Sequence, residues 1–573
     1  MTTREVATRG LLALAAGAIG FAAADTYVVV LALPDMMTSA GLNVDDLQRA
    51  APIVSGFLLG YVAVLPLIGR VSDLLGRVPV LLGCLAIFAL GSVVTAAGYD
   101  LGSIVAGRFL QGVGGGGLIP PTLALIADTW PSERRGLPLG VVGAVQELGS
   151  VLGPLWGAVV LAHGSWHDIF WINAAVGLVI AAAMLRHRPA RPVRPGGSFR
   201  DGWGAVLAGA AGACLLLVML QPEALVTGVT SGLAFLPVAG ESRWLTPLAL
   251  TGYALVAAFA VREATARDSW LRWRSAVDVA RAADLWGAAA LTVALGAVIV
   301  TFASAEPERA VLAEDAWFLL PLAAAAVLAF VWRQRTATHP LVPRGALAAR
   351  PAWGAIVVSF FVGAALIAAL VDIPFFARLT IAPDDQLAAA LVLLRFLVAL
   401  PVGALLGGWL LRRLPADRLV AAALILSGGC FLAMAQWETG SLRTVPATVV
   451  LVLCGFGFGL AIAPVNAALL DHTDDAVHGL ASALLVVARM VGMLVGVSVL
   501  TTVGLRAFHA AAERLPTVEQ VCGSQTTCSA YADALREAGI SQLQAVFTGA
   551  AVAAFVAAVL ALLLLRRRAS VSP

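Results

Sequence analysis

Six ionisable residues fall inside otherwise apolar stretches: Asp25, Arg108, Glu147, Asp372, Arg395 and Arg489. A charge at the centre of a hydrocarbon layer costs at least about 2.5 kcal/mol on insertion scales, so each of these residues needs a partner, water or a task. A carboxylate at such a depth is suited to proton exchange. Burial favours its neutral form, a nearby arginine favours its anion, and a movement that separates the two loads or releases a proton. Asp25, Glu147 and Asp372 are therefore the candidate proton-coupling groups, and Arg108, Arg395 and Arg489 their candidate charge partners. For Asp25 and Asp372 a hydrated, purely structural place near one surface is an equal expectation, and Arg395 leans structural.

The elements that must position these groups are long apolar runs. The chain has 573 residues, of which 60% are hydrophobic and only 12% charged, with a mean hydropathy of +0.91. Soluble domains carry about 25% charged residues. Runs of about 20 apolar residues recur from end to end, and only a helix satisfies its own backbone polar groups while crossing hydrocarbon. The pattern predicts an all-α polytopic membrane protein with sixteen spans, or fourteen in the alternative reading. The apolar run after Arg9 continues past Asp25 to Leu33. It is longer than a signal peptide's apolar core of about 7–15 residues and reads as an uncleaved first span. Glu147 and Arg489 each fall about 15 Å into the fifth span of one half and its counterpart in the other, so two-fold pseudo-symmetry would set them face to face.

The basic residues are all arginine and cluster on one side of the predicted spans, as at Arg186–Arg200, Arg262–Arg281, Arg333–Arg350 and Arg566–Arg568. That asymmetry places both termini in the cytoplasm. The domains expected are an N-terminal six-helix bundle over 1–187, a central insert over 188–350 and a C-terminal six-helix bundle over 351–573. The insert repeats itself: Asp201-Gly-Trp-Gly-Ala205 opens one span and Asp284-Leu-Trp-Gly-Ala288 another, each followed by a similar second arm. It reads as a duplicated two-helix hairpin. Residues 508–539 form a polar outer excursion that holds Cys522 and Cys528, an expected disulfide. The two spans flanking it are expected to project beyond the bilayer as a helical hairpin.

Two glycine patterns complete the reading. Gly149, Gly153 and Gly157 recur every four residues, with Pro154 beside the middle one, making a flat groove where another helix can come close. Gly69, Asp73, Gly76 and Arg77 form a tight turn between spans two and three; its aspartate is expected to accept from a helix N-terminus or to pair with an arginine across the two halves. The seven histidines fall in loops or at span ends, with no metal-ligand spacing, so no metal, no cofactor and no enzymatic centre is expected. His163, His167 and Asp168, though close together, read as surface residues at a helix entry.

Taken in order, these motifs resemble the major facilitator superfamily. The turn Gly69-x-x-x-Asp73-x-x-Gly76-Arg77 looks like its signature between helices two and three, and Arg108-Phe-Leu-Gln111-Gly112 like its fourth-helix motif. Gly149-Ser-Val-Leu-Gly153-Pro154-Leu-Trp-Gly157 resembles the antiporter motif, while Asp25-Thr26 before Ala32-Leu33-Pro34 and Trp166 to Asn173 are similar to the fourteen-span drug:proton antiporters. Within that group Gln146-Glu147-Leu-Gly, Leu370-Val-Asp372 and His478-Gly-Leu-Ala-Ser482 with Ala488-Arg489-Met490 resemble the actinobacterial and mycobacterial triacylglyceride exporters. The resemblance implies proton-coupled export of hydrophobic or amphipathic molecules, driven by the proton gradient and carried out by alternating access. It implies coupling carboxylates at Asp25 and Glu147, a partner arginine at Arg489, a lateral path for lipid, and a periplasmic lipoprotein that accepts it. Efflux of amphipathic cationic drugs is the alternative within transport, and a non-transporting membrane scaffold the alternative outside it.

Overall fold

The computed structural model describes residues 3–42, 47–187, 202–265, 273–303, 315–381, 386–516 and 528–566, together with Gln520 and Cys522. Arg188–Asp201, Arg267, Glu306, Glu308 and Glu314, Arg567 and Arg568, and part of the 508–539 excursion therefore lie outside the described residues. The described chain is helical, with no β-strand. In order its helices are α1 (Thr3–Ser39), α2 (Leu47–Ala63), α3 (Leu65–Leu75), α4 (Arg77–Ala96), α5 (Leu101–Gly117), α6 (Ile119–Thr129), α7 (Gly136–His163) and α8 (Trp166–Arg186). The central segment holds α9 (Gly202–Leu220), the short α10 (Glu223–Val226), α11 (Pro247–Thr265), α12 (Trp273–Ala282), α13 (Leu285–Ala303) and α14 (Ala316–Thr336). The remainder is α15 (Arg350–Thr380), α16 (Gln386–Leu397), α17 (Ala399–Leu410), α18 (Ala416–Met434), α19 (Val445–Leu470), α20 (His478–Ala512) and α21 (Ser529–Leu564).

Among the described residues 14 helices are long and apolar enough to cross a membrane, and two bent pairs raise the number to 16. The bends have chemical causes. α2 and α3 meet at 41° just before Pro66, which lacks the N–H that would continue the helix. The Ala63 carbonyl at that break is satisfied from outside, by the Thr292 hydroxyl of α13 at 2.9 Å. The first span bends by 65° between Arg9–Thr26 and Leu31–Ser39, four to eight residues before Pro34.

Helices α1–α8 pack on one another, and so do α15–α21. The core of the second group is aromatic, with the Phe547 ring against Phe376, Phe431 and Trp437, and Phe376 against Trp437. The core of the first, around Phe57, Phe88 and Leu85, is joined by Ala463, Ala467, Ala483 and Val486 from the second. The seam between the groups is thus packed along part of its length. Two hairpins, α9 with α11 and α13 with α14, lie between them in sequence. The base of the second is tied by Arg333 Nε donating to Asp284 Oδ1 at 2.8 Å. α13 lies against both α2 and α20, so this hairpin touches both groups.

α20 and α21 have 35 and 36 residues. At 1.5 Å per residue each is about 50 Å long, well beyond a hydrocarbon core of about 30 Å. Cys522 and Cys528 in the excursion between them are joined by a disulfide.

The glycine groove on α7 is filled by α1 of the same group. A Cβ on Gly149 would stand 2.0 Å from the Gly20 carbonyl oxygen, and one on Gly153 2.4 Å from that of Ala24. Because backbone atoms are in the way, the helices themselves must part. Gly149→Ala should therefore cost on the order of 1–3 kcal/mol of stability. Gly17→Ala, where nothing lies within 4 Å, should be neutral or gain up to about 1 kcal/mol from helix propensity. Thermal unfolding of the two variants in one detergent compares them; equal midpoints would show that α1 and α7 do not meet as described.

Candidate functional site

Three groups of charged residues stand inside the first bundle or between the bundles. The first lies inside the α1–α8 bundle. Asp25 is 2% exposed and accepts from Arg108 Nη1 at 2.7 Å and from the Asn173 amide. Arg108 is 1% exposed, also donates to Gln111 Oε1 at 3.0 Å, and lies over the Phe57 ring with its guanidinium carbon 4.3 Å from the centroid. Gln111 passes the chain on to Ser92 at 2.9 Å. Asp25 is therefore dry and paired, and the hydrated place near a surface that hydropathy allowed for it does not apply. The Nε of Arg108 is buried without a partner among the described residues.

The second group lies at the seam. Glu147 of α7 is half-buried, and Arg489 of α20 is the charge that acts on it across the seam. No hydrogen bond or ion pair within 4 Å joins the two among the described residues. Arg489 lines a cavity with Gln146 and Gly143 of α7, Ser359 of α15 and Asn466 of α19. The cavity volume is about 40 Å³, and most of its other lining is aliphatic. The arrangement offers a few polar groups inside an apolar hollow, the usual make-up of a small-molecule site. Asp372 is half-buried and makes no side-chain bond among the described residues. Arg395 donates to the Thr448 hydroxyl at 2.9 Å, on the neighbouring α19.

The third group fastens the two bundles together at the end that carries the Gly69–Arg77 turn. Gly76 has φ +95, a left-handed conformation that glycine adopts without strain, and this lets α3 turn directly into α4. The turn delivers Asp73 to the start of α20, where the backbone N–H groups of Gly479 and Leu480 donate to its two oxygens at 2.8 and 3.0 Å. A helix N-terminus carries partial positive charge and free N–H groups, so a carboxylate there is well held. Arg77 pairs with Asp73, donates to Asp128 Oδ2 at 2.9 Å and reaches the Asp475 carbonyl at 3.2 Å. Arg135 adds a second tie to Asp471 at 3.2 Å. Gly69 allows the close approach, since a Cβ there would meet the Gly479 carbonyl at 2.6 Å. The α7 groove thus serves contact within one bundle, whereas contact between bundles is made by the Gly69 turn and by Gly136 and Gly140 against Gly408 and Ala404.

Sequence reasoning did not pair Asp25 with Arg108, although Arg108, Gln111 and Asn173 stood in the motifs it quoted. His478 stands at a span end, the first residue of α20, and is 1% exposed within the fastening between bundles, a burial that hydropathy does not reveal. Among the described residues no group of three or more metal-ligating side chains is assembled.

Comparison with known proteins follows the same lines. A triacylglyceride transporter of Mycolicibacterium hassiacum is 35% identical over 515 residues, covering 88% of this chain and 80% of its own. The triacylglyceride transporter of Mycobacterium tuberculosis is 35% identical over 524 residues, covering 88% and 83%. A probable triacylglyceride transporter of Mycobacterium leprae is 31% identical over 581 residues, covering 99% and 97%. Two solved structures share the fold: the human organic anion transporter MFSD10, at TM-score 0.53 and 16% identity over 97% of this chain and 99% of its own, and the proton:xylose symporter XylE, at TM-score 0.53 and 12% identity over 96% and 95%. The profile of the Major Facilitator Superfamily matches residues 15–305 and 279–497. The chain is a multi-pass membrane protein and belongs to the Major Facilitator Superfamily of transporters.

Proposed function

We propose that this chain is a proton-coupled exporter that moves triacylglyceride-like lipid across the cytoplasmic membrane by alternating access. The observation that carries the substrate class is the 35% identity, over 88% of the chain, to a transporter named for triacylglyceride. An aliphatic cavity at the seam, with Gln146, Asn466 and Arg489 as its polar points, suits a molecule that is mostly hydrocarbon with a few oxygen acceptors. In this reading Glu147 carries the coupling proton, and Arg489 is the cation that governs when it is released. Asp25 and Asp372 are further coupling carboxylates, with Arg108 and Arg395 holding the helices around them. The end fastened by Asp73 and Arg77 faces the cytoplasm, as do both termini, and the bundles rock about the seam. The disulfide-bearing excursion faces the periplasm, where a lipoprotein receives the lipid. No cofactor is needed beyond the proton gradient.

The test is made in cells that lack the gene, with or without the native copy restored. Restoring it should shift triacylglyceride from the cell-retained to the envelope-released fraction, as weighed by lipid extraction of each fraction. An unchanged partition would remove lipid as the substrate, and efflux of amphipathic cations would be measured next.

A further inference from the structure

We propose that His478 is a positioning residue of the fastening between the bundles, acting as a strut that forms only when its ring carries a second proton. The observation is a buried imidazole with one satisfied face and one empty face. His478 is 1% exposed, at the first turn of α20. Its Nε2 lies 3.1 Å from the Leu470 carbonyl and 3.1 Å from the Thr473 carbonyl. Two acceptors require that Nε2 bear a hydrogen. In the neutral ring the remaining nitrogen, Nδ1, is then a lone pair. It is buried without a hydrogen-bond partner among the described residues, and the nearest polar atom given for it is Asp128 Oδ1 at 3.6 Å. A lone pair facing a carboxylate at that distance repels it. A proton on Nδ1 turns the same contact into a charge-assisted bond between α20 of one bundle and α6 of the other.

Three carboxylates and two cations stand near the ring. The carboxylates around the ring are Asp128 on α6, Asp475 at 3.7 Å from Nε2 in the segment before α20, and Asp73 on α3, which occupies the N–H groups of Gly479 and Leu480. The cations are Arg77, shared between Asp73 and Asp128, and Arg70 on α3. Beyond them, Arg135 and Asp471 are tied to each other, as are Arg333 and Asp284 on the hairpin that touches α20. Asp128 is 36% exposed on its side chain, so its outer edge opens a route from solvent to the ring. Parting the bundles would break the contact with Asp128 and wet the imidazole. Acid on the fastened side therefore favours the fastened arrangement, and neutral or alkaline conditions ease its opening. The inference rests on the proposed rocking of the bundles and is independent of what is carried.

The test uses the full chain in lipid nanodiscs, with Cys214→Ser and Glu147→Gln as background, so that Glu147 does not contribute. Spin labels at Arg134→Cys and Leu414→Cys, both exposed beside the seam, report the distance between bundles by double electron–electron resonance. Between about pH 7.5 and 5.5 the ratio of short to long distances should rise by about fivefold or more. His478→Gln, whose amide still reaches the carbonyls but takes no proton, should flatten that response to less than about twofold. Asp128→Asn, with His478 intact, should flatten it as well. An unchanged response in His478→Gln would overturn the proposal, because the proton would act elsewhere. Two distances with no pH response in the parent would overturn this inference alone; a single distance at every pH would overturn rocking of the bundles and this inference with it.

Discussion

Arg108→Met should destabilise the chain by about 3–5 kcal/mol, and pairing it with Asp25→Asn should recover most of that loss. Asp25 and Arg108 are each at most 2% exposed and lie 2.7 Å apart. Removing the cation leaves a carboxylate in a dry interior with only the Asn173 amide to answer it. The cost arises mainly from the stranded partner and only in small part from the lost attraction, because the intact pair has already lost its hydration. An asparagine at 25 retains an acceptor for Asn173 and carries no charge to strand. Methionine keeps much of the arginine's length against the Phe57 ring, which lies 4.3 Å from the guanidinium carbon. Thermal unfolding of the single and double variants in detergent, followed by near-ultraviolet circular dichroism, gives the comparison. If the double variant is as unstable as Arg108→Met alone, the loss is one of packing or of the Gln111 and Ser92 chain rather than of charge.

How much of this was legible beforehand differs with the kind of contact involved. Hydropathy is a local property, so the spans were readable, including the two that the structure bends. The internal repeat is read from shared opening residues, Asp-x-Trp-Gly-Ala at 201 and 284, which is again a local property. That Glu147 and Arg489 should face one another is argued from equal depth and pseudo-symmetry, a geometric argument that needs no side-chain detail. The pairing of Asp25 with Arg108 was not readable that way. It depends on which faces of α1 and α5 turn inward, and helices that are apolar all round carry no moment that reveals their rotation. The same blindness hid the destination of the α7 glycines: a four-residue repeat tells that some helix comes close, not which one. The burial of His478 at the start of α20 was not readable because a span end becomes interior only once Asp73 and Arg77 draw the two bundles over it.

Glu147→Gln should abolish export driven by a proton gradient while leaving the fold and gradient-independent exchange in place. Glutamine matches glutamate in size and offers hydrogen bonds, yet it cannot take up or give away a proton. Glu147 makes no hydrogen bond or ion pair among the described residues, so the substitution breaks no tie on which packing relies. What it removes, in the proposed cycle, is the alternation of charge opposite Arg489. With that charge fixed at zero the bundles still exchange carrying substrate, but a proton gradient no longer biases the direction. In proteoliposomes loaded with labelled triacylglyceride, an imposed gradient should drive less than about a tenth of the native export. Exchange of labelled for unlabelled lipid without a gradient should stay within about twofold of native. Loss of both activities would make Glu147 a structural or substrate-binding residue. Retention of both would move the coupling proton elsewhere, and Asp372, half-buried and without a side-chain bond among the described residues, would be the carboxylate to replace next.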